Sequence, residues 1–285
     1  MPDLAYLNGE IMPIDQARVP IEDRGYQFAD GVYEYIASYE GRLFRLEAHL
    51  DRLEHGLREL GYAPIPRPHL RSAIAELFQR AGYARAGIYI QITRGVAPRN
   101  HAFATTLTPQ IVMTVREIKA IPADLRDNGI QTITVRDLRW SRCDIKTTQL
   151  LANCLAKQKA LASGYYDAIF VSDQDIVREG TSSNVFAVSN GRLTTHPLTP
   201  HILPGITRMA ILEICGEIGL EFSESFFTRE NLYAADEVFL SGTVTEVLPV
   251  IGVDDRIIAN GGVGPITRQL YAALGAKALD RPDVR

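Results

Sequence analysis

One lysine in this chain stands where covalent chemistry is plausible: Trp140-Ser141-Arg142-Cys143-Asp144-Ile145-Lys146-Thr147-Thr148-Gln149 joins a strand-like run to a helical one. An amine attacks a carbonyl only when desolvation or a neighbouring cation lowers its pKa. Arg142 and Trp140 are compatible with such surroundings, although on position alone a solvated loop lysine is the plainer reading. Glu179-Gly180-Thr181-Ser182-Ser183-Asn184 offers a carboxylate and hydroxyls in a turn, without the GxSxG of a nucleophile elbow. Arg94, Arg99 and His101 share a polar loop between two strand-like runs. Other chemistries drop out. There is no GxxxxGK[ST], no strand-linked GxGxxG and no HExxH. His49 and His55 share a helix but are not an i,i+4 metal pair, and Cys143, Cys154 and Cys215 are too scattered for a metal site or disulfide framework, so no metal centre is expected.

The elements that must position these residues follow from periodicity. Asn8-Gly9 between two apolar runs (4–7 and 11–14) signals a hairpin, and Glu40-Gly41 signals a second between 32–39 and 42–46. Leu46, Leu50, Leu53, Leu57 and Leu60 recur at helical spacing up to Gly61, and a second helix is expected over 68–80. Strands are expected at 88–93, 111–115, 130–135, 168–172, 185–188, 193–195, 238–240 and 247–253. Further helices are expected over about 148–163 and 206–218 and from about 265. Strands and helices mix without regular βαβ alternation, which predicts two α+β domains: 1–118, a linker at 119–129 rich in turn residues, and 130–285 carrying Lys146.

The chain has 285 residues, 46% hydrophobic and 22% charged, with a net charge of −4, as a soluble globular protein does. Such a charge gives no field to recruit nucleic acid or anionic lipid, so attraction for an anionic substrate must come from a local positive cluster. No apolar run approaches a membrane span, and the opening Met1-Pro2-Asp3-Leu4 lacks the basic region of a signal peptide. A cytoplasmic protein is expected, with no nucleic-acid or membrane partner.

Beyond spacing, the chain resembles the fold-type IV pyridoxal-phosphate enzymes, and within them the D-amino acid aminotransferases. The markers run along the whole chain: Glu22-Asp23-Arg24-Gly25-Tyr26-Gln27-Phe28-Ala29-Asp30-Gly31-Val32-Tyr33-Glu34, His49-Leu50-Asp51-Arg52-Leu53, and Thr93-Arg94-Gly95 with Pro98-Arg99-Asn100-His101. After these come Arg142-Cys143-Asp144-Ile145-Lys146, Glu179 to Phe186, Leu203-Pro204-Gly205-Ile206-Thr207-Arg208 and Ser241-Gly242-Thr243. Each alone is weak; in order, at family-like separations, they are specific.

The resemblance implies the two-domain α+β fold of those enzymes, pyridoxal 5'-phosphate as cofactor, and transfer of an amino group between D-amino acids such as D-alanine and 2-oxo acids such as 2-oxoglutarate. Lys146 resembles the lysine that holds the cofactor as a Schiff base, and Glu179 the carboxylate facing its pyridine nitrogen. Arg52, Gly205, Ile206, Thr207 and Thr243 resemble the phosphate ligands. Gly242 stands where the best-known D-amino acid aminotransferases carry a serine; Ser241-Gly242-Thr243 instead resembles the branched-chain relatives. Leu203 resembles the apolar residue against the ring, and Ser182 a hydroxyl near the cofactor. Tyr33, Arg99 and His101 resemble a trap for the substrate α-carboxylate, the last two reaching in from the partner of a homodimer. A branched-chain L-aminotransferase, an aminodeoxychorismate lyase and a non-catalytic protein of the same fold are the alternatives.

Overall fold

The computed structural model describes residues 3–280, and its packing divides it into two units. The first comprises residues 3–119 and Ile145–Gln149; the second comprises Ala120–Asp144 and Leu150–Asp280.

The first unit holds β1 (Leu4–Leu7), β2 (Glu10–Pro13), α1 (Arg24–Phe28), β3 (Gly31–Tyr39), β4 (Arg42–Leu43), α2 (Leu46–Glu59), α3 (Arg67–Ala81), β5 (Ala86–Thr93) and β6 (Gln110–Glu117). Its antiparallel sheet has the order β2-β1-β6-β5-β3-β4. The Asn8-Gly9 turn is built as expected, with φ of 50° and 112°, a conformation these residue types tolerate. Leucines 46, 50, 53 and 57 of α2 are buried, as are Leu70, Ile74 and Leu77 of α3. They join a core with Ile36, Ile88, Ile90, Ile92 and Met113. Each such side chain contributes about 1.5–3 kcal/mol by leaving water.

The second unit holds α4 (Ala123–Asn128), β7 (Ile130–Arg136), α5 (Leu151–Ala162), β8 (Asp167–Val171), β9 (Val177–Gly180), β10 (Asn184–Ser189), β11 (Arg192–Thr195), α6 (Ile206–Ile218), β12 (Phe222–Glu224), α7 (Arg229–Tyr233), β13 (Glu237–Gly242), β14 (Glu246–Val253), β15 (Arg256–Ile257) and α8 (Pro265–Asp280). Strands β10, β13, β14, β7, β8 and β9 pair in sequence, and β9 closes back on β10 through Glu179 opposite Asn184. Closure removes the sheet edges at that point and fixes where Glu179 stands. Phe186 and Phe239, cross-strand partners on β10 and β13, stack with centroids 4.8 Å apart.

Two differences from expectation matter for the site. Residues 119–129, read as a linker, contain α4, and Ile121 and Leu125 pack on the core of the second unit. The helix expected from residue 148 starts at Leu151, and the lysine segment belongs to the first unit rather than to the one that follows it. The reason is backbone pairing: Thr147 bridges Val32, Tyr33 N–H donates to Lys146 C=O at 2.9 Å, and Thr148 N–H donates to Gly31 C=O at 3.0 Å. Those bonds demand an extended chain where helical periodicity predicts a first turn.

Candidate active site

Lys146 thus lies on a short extended segment beside the start of β3. Ile145 and Thr147 are buried on either side of it, and the Lys146 amine stands 4.2 Å from the centre of the Tyr33 ring. Alternation along β3 puts Tyr33 and Tyr35 on one face and Val32, Glu34 and Ile36 on the other. The Tyr33 ring is also 5.6 Å from that of Tyr89 on the neighbouring strand.

Glu34 therefore sits among apolar residues with no exposure at all. Arg52 donates to both its oxygens, Nε to Oε1 at 2.6 Å and Nη2 to Oε2 at 2.8 Å, and the His49 ring lies 2.7 Å from Oε2 through Nδ1. Arg52 thus turns inward to β3, not to its helix neighbours; Asp51 and Glu54 pair with Arg67 instead. Burial by itself would raise the Glu34 carboxyl; Arg52 and then His49 outweigh it and hold it well below the ordinary carboxylate range. Burial keeps His49 below its usual value despite Glu34, consistent with a neutral ring whose Nδ1–H donates.

Glu34→Gln leaves Arg52 buried without its anion, and unpairing a buried ion costs about 3–5 kcal/mol. Denaturant titration measures this directly. Because the folded carboxyl is depressed, the stabilisation is complete above the unfolded value of about 4.3 and is lost as pH falls through the folded value. Stability of Glu34→Gln should accordingly be flatter in acid than that of the parent. Loss of under about 1 kcal/mol, or an unchanged acid limb, would show that the pair does not stabilise the fold.

In the second unit Glu179 is buried at the β9–β10 closure. Arg139 Nη1 bonds its Oε1, the Leu203 amide donates to Oε2 at 2.9 Å, and Asn184 Nδ2 lies 3.2 Å from Oε2. Arg139 is itself fixed by Asp137 (Nε at 2.9 Å, Nη2 at 2.8 Å) and by the His201 carbonyl at 3.1 Å. Its guanidinium also lies 4.3 Å from the centre of the Phe170 ring. Burial pushes the Glu179 carboxyl up, and Arg139 and the Leu203 amide pull it back only in part. A further cation brought to Glu179 would be welcomed by a carboxylate in that condition.

Asn184 links this carboxylate to the next feature. Its Nδ2 also donates to Leu203 C=O at 3.0 Å, and its Oδ1 lies against Gly205, where an added Cβ would come within 2.1 Å of it. Only glycine fits there. Gly205 precedes α6, whose N-terminus has no side-chain cap, and Ile206 and Thr207 are buried in its first turn. Opposite Asn184 on β13 stands Ser241, whose buried Oγ has no hydrogen-bond partner among the described residues; nor has that of Ser183. An uncapped helix start near a buried orphan hydroxyl is an anion-binding arrangement. Gly242 and Thr243 follow Ser241 at the end of β13, partly exposed, and Ser182 is exposed in the turn between β9 and β10.

Arg99 and His101 occupy the long loop between β5 and β6 and are exposed. Arg99 stacks on Phe28 at 4.6 Å and has no carboxylate partner among the described residues. His101 packs on the same ring, centroids 5.5 Å apart, and neither residue bonds Tyr33 within the described chain. Sequence reasoning missed Glu34, His49, Arg139, Asn184 and Ser241 as parts of these networks. Glu34 carried a signal, being an acid within an alternating strand at a position that faces the core, and so did His49, three residues after Leu46 and four before Leu53 on the apolar stripe of α2; the others carried none.

The first unit thus presents a lysine on an extended segment beside β3, and the second, described by itself, a buried carboxylate braced by arginine and a helix start open to an anion. The family model for amino-transferase class IV matches residues 31–253. A D-alanine aminotransferase of Bacillus licheniformis is 43% identical over 268 residues, covering 94% of this chain and 94% of the relative. The crystal structure of Escherichia coli branched-chain amino acid aminotransferase superposes with a TM-score of 0.91 at 26% identity, covering 97% of this chain and 94% of that one. A branched-chain amino acid aminotransferase of T.th. solved with pyridoxamine 5'-phosphate gives a TM-score of 0.88 at 27% identity, covering 98% and 95%. The chain belongs to the class IV aminotransferases and has their fold-type IV, α+β architecture.

Proposed function

We infer that this protein is a pyridoxal 5'-phosphate-dependent aminotransferase of D-amino acids. It converts D-alanine and 2-oxoglutarate to pyruvate and D-glutamate in two half-reactions. The observation that carries the D-specific reading is Arg99, an exposed arginine with no carboxylate partner among the described residues, presented beside His101 on a loop braced against Phe28. The residues fit the cofactor. A phosphate matches the uncapped start of α6 at Gly205, Ile206 and Thr207, the orphan Ser241 hydroxyl, and Thr243 after it. Arg52, whose guanidinium Glu34 orients, is our further candidate for a phosphate ligand. Leu203, fixed at both its amide and its carbonyl, would supply apolar surface to the ring, and Ser182 a hydroxyl near the cofactor.

The cofactor supplies the electron sink that lets the substrate Cα–H bond break. Lys146 would hold the cofactor through its amine, and that amine, when free, would take the substrate Cα proton. Glu179 would accept a hydrogen bond from the protonated pyridine nitrogen, a cationic partner that suits a carboxylate whose pKa burial raises. Tyr33, Arg99 and His101 hold the α-carboxylate, so handedness follows from which face of Cα meets the lysine.

We assign the protein to the cytoplasm as a homodimer. The dimer reading is supported by exposed Val19, Ile21, Tyr26 and Phe103, apolar surface on the unit that bears the loop. Among the described residues no helix is long and apolar enough to cross a membrane.

A screen of both enantiomers of alanine, leucine and glutamate, scored for the oxo acid formed, tests the assignment. Turnover of L-leucine with none of D-alanine would favour the branched-chain reading, which Ser241-Gly242-Thr243 supports. For Glu179→Gln, proton abstraction from D-alanine should slow on the order of a hundredfold, as when a preorganised electrostatic group is lost. The variant should still bind cofactor, and stopped-flow half-reactions decide; rates equal to the parent's would remove Glu179 as the ring partner.

A further inference from the structure

We propose that Arg24 and Asp30 are positioning residues for the substrate carboxylate, locking the loop that presents Arg99 and His101. This rests on the reading of those two residues as carboxylate ligands.

Residues 94–109 form a long segment without helix or regular strand, which by itself would sample many shapes. Arg24, 4% exposed at the start of α1, holds it at its centre. Its Nη1 donates to the Asn100 carbonyl at 2.6 Å and its Nη2 to the His101 carbonyl at 3.3 Å. Its Nε donates to Asp30 Oδ2 at 2.8 Å. One planar fork therefore fixes two consecutive peptide groups immediately after Arg99, which a lysine's point charge cannot do.

Asp30 is shared. Arg94 Nε lies 2.8 Å from Oδ2 and 3.0 Å from Oδ1, and its Nη2 donates to Leu60 C=O at 2.9 Å. Tyr62 donates to the Asp30 carbonyl at 2.9 Å. Burial would raise the Asp30 carboxyl, but Arg94 and Arg24 hold it below its ordinary value, so it stays an anion. Asp30 also leads directly into β3, which carries Tyr33. A single carboxylate thus ties the start of the tyrosine strand to the arginine loop.

Aromatic rings complete the brace. Phe103 lies between Arg94 (3.8 Å) and Arg24 (5.3 Å), and Phe28 has Arg24 at 4.7 Å and Arg99 at 4.6 Å. Arg99 is therefore held by a ring rather than neutralised by an acid, and remains available to an anion. Arg24 and Arg94 at Asp30, with Arg99 on the Phe28 ring, form a local positive cluster in a chain whose net charge is −4. The ordering of an exposed arginine is met within the fold before substrate arrives.

The test compares two probes that capture lysine-bound cofactor: aminooxyacetate, which carries a carboxylate, and methoxyamine, which does not. Arg24→Lys and Asp30→Asn should slow aminooxyacetate capture about ten- to a hundredfold, the range of a lost charge-assisted contact, while leaving methoxyamine capture unchanged. In the cofactor-free protein, amide exchange across residues 95–103 should quicken. Arg99→Ala run beside them separates the two ideas. If Arg99→Ala keeps the parent's preference for aminooxyacetate, the carboxylate-ligand reading falls and this proposal with it. If Arg99→Ala loses that preference but Arg24→Lys and Asp30→Asn keep it, only the positioning role is overturned. Equal losses for both probes in the Arg24 and Asp30 variants would mark the cluster as general scaffolding and overturn the proposal too.

Discussion

Lys146→Ala should lose the visible absorbance of lysine-bound cofactor and lower transamination by at least about 10²–10⁴-fold, the usual contribution of a positioned proton-transfer group. The fold should survive. What secures the segment is its backbone, through the Lys146 carbonyl to the Tyr33 amide, the Thr147 bridge to Val32 and the Thr148 amide to Gly31, none of which uses the amine. Circular dichroism and denaturant titration should therefore match the parent while the half-reaction with D-alanine collapses. A small exogenous amine added to the variant should return part of the rate, because the missing part is a base and not a scaffold. Normal turnover without such an amine would exclude Lys146 as the catalytic lysine.

Arg99→Ala should cut kcat/KM for D-alanine by about ten- to more than a hundredfold, since a hydrogen bond to a charged group is worth on the order of 1.5–3 kcal/mol. Every D-amino acid should suffer alike, because all share the α-carboxylate, and cofactor affinity should stay unchanged. Removing an exposed side chain that stacks on the Phe28 ring should cost little stability. The dimer assignment adds a sharper expectation. Mixed dimers of Arg99→Ala and Lys146→Ala subunits should regain activity, because one of their two sites then combines an intact lysine with the neighbour's arginine. An arginine that served its own subunit would give no rescue. Unchanged D-alanine kinetics in Arg99→Ala would sink the carboxylate assignment and favour the branched-chain reading.

The elements positioning the site were legible to different depths. Leu46, Leu50, Leu53 and Leu57 announced α2 because a long amphipathic helix repeats its signal several times. The helix expected over 206–218 is α6 residue for residue. By contrast α1 and α7 have five residues each, too few for a period, and β9, β12 and β15 are shorter still. The start of α5 was misplaced for another reason. Thr148 reads as its first residue, but the Thr148 amide donates to Gly31 and Thr147 beside it bridges Val32, more than a hundred residues earlier in the chain.

The candidate site divides the same way. Residue identities such as Lys146, Glu179, Arg99 and His101 stand in the sequence with the chemistry they are able to do, and the ordered motifs around them specify the family. Which partner each one takes is a matter of tertiary structure. Nothing local tells that Arg52 turns to Glu34 rather than to Asp51, that Arg139 braces Glu179, or that Arg24 holds the carbonyls of Asn100 and His101. Hydrogen bonds and ion pairs act over about 3 Å, so they depend on which strands and loops the fold brings together. Side-chain chemistry is written residue by residue; orientation, burial and the resulting charge balance come into being only when distant segments pack.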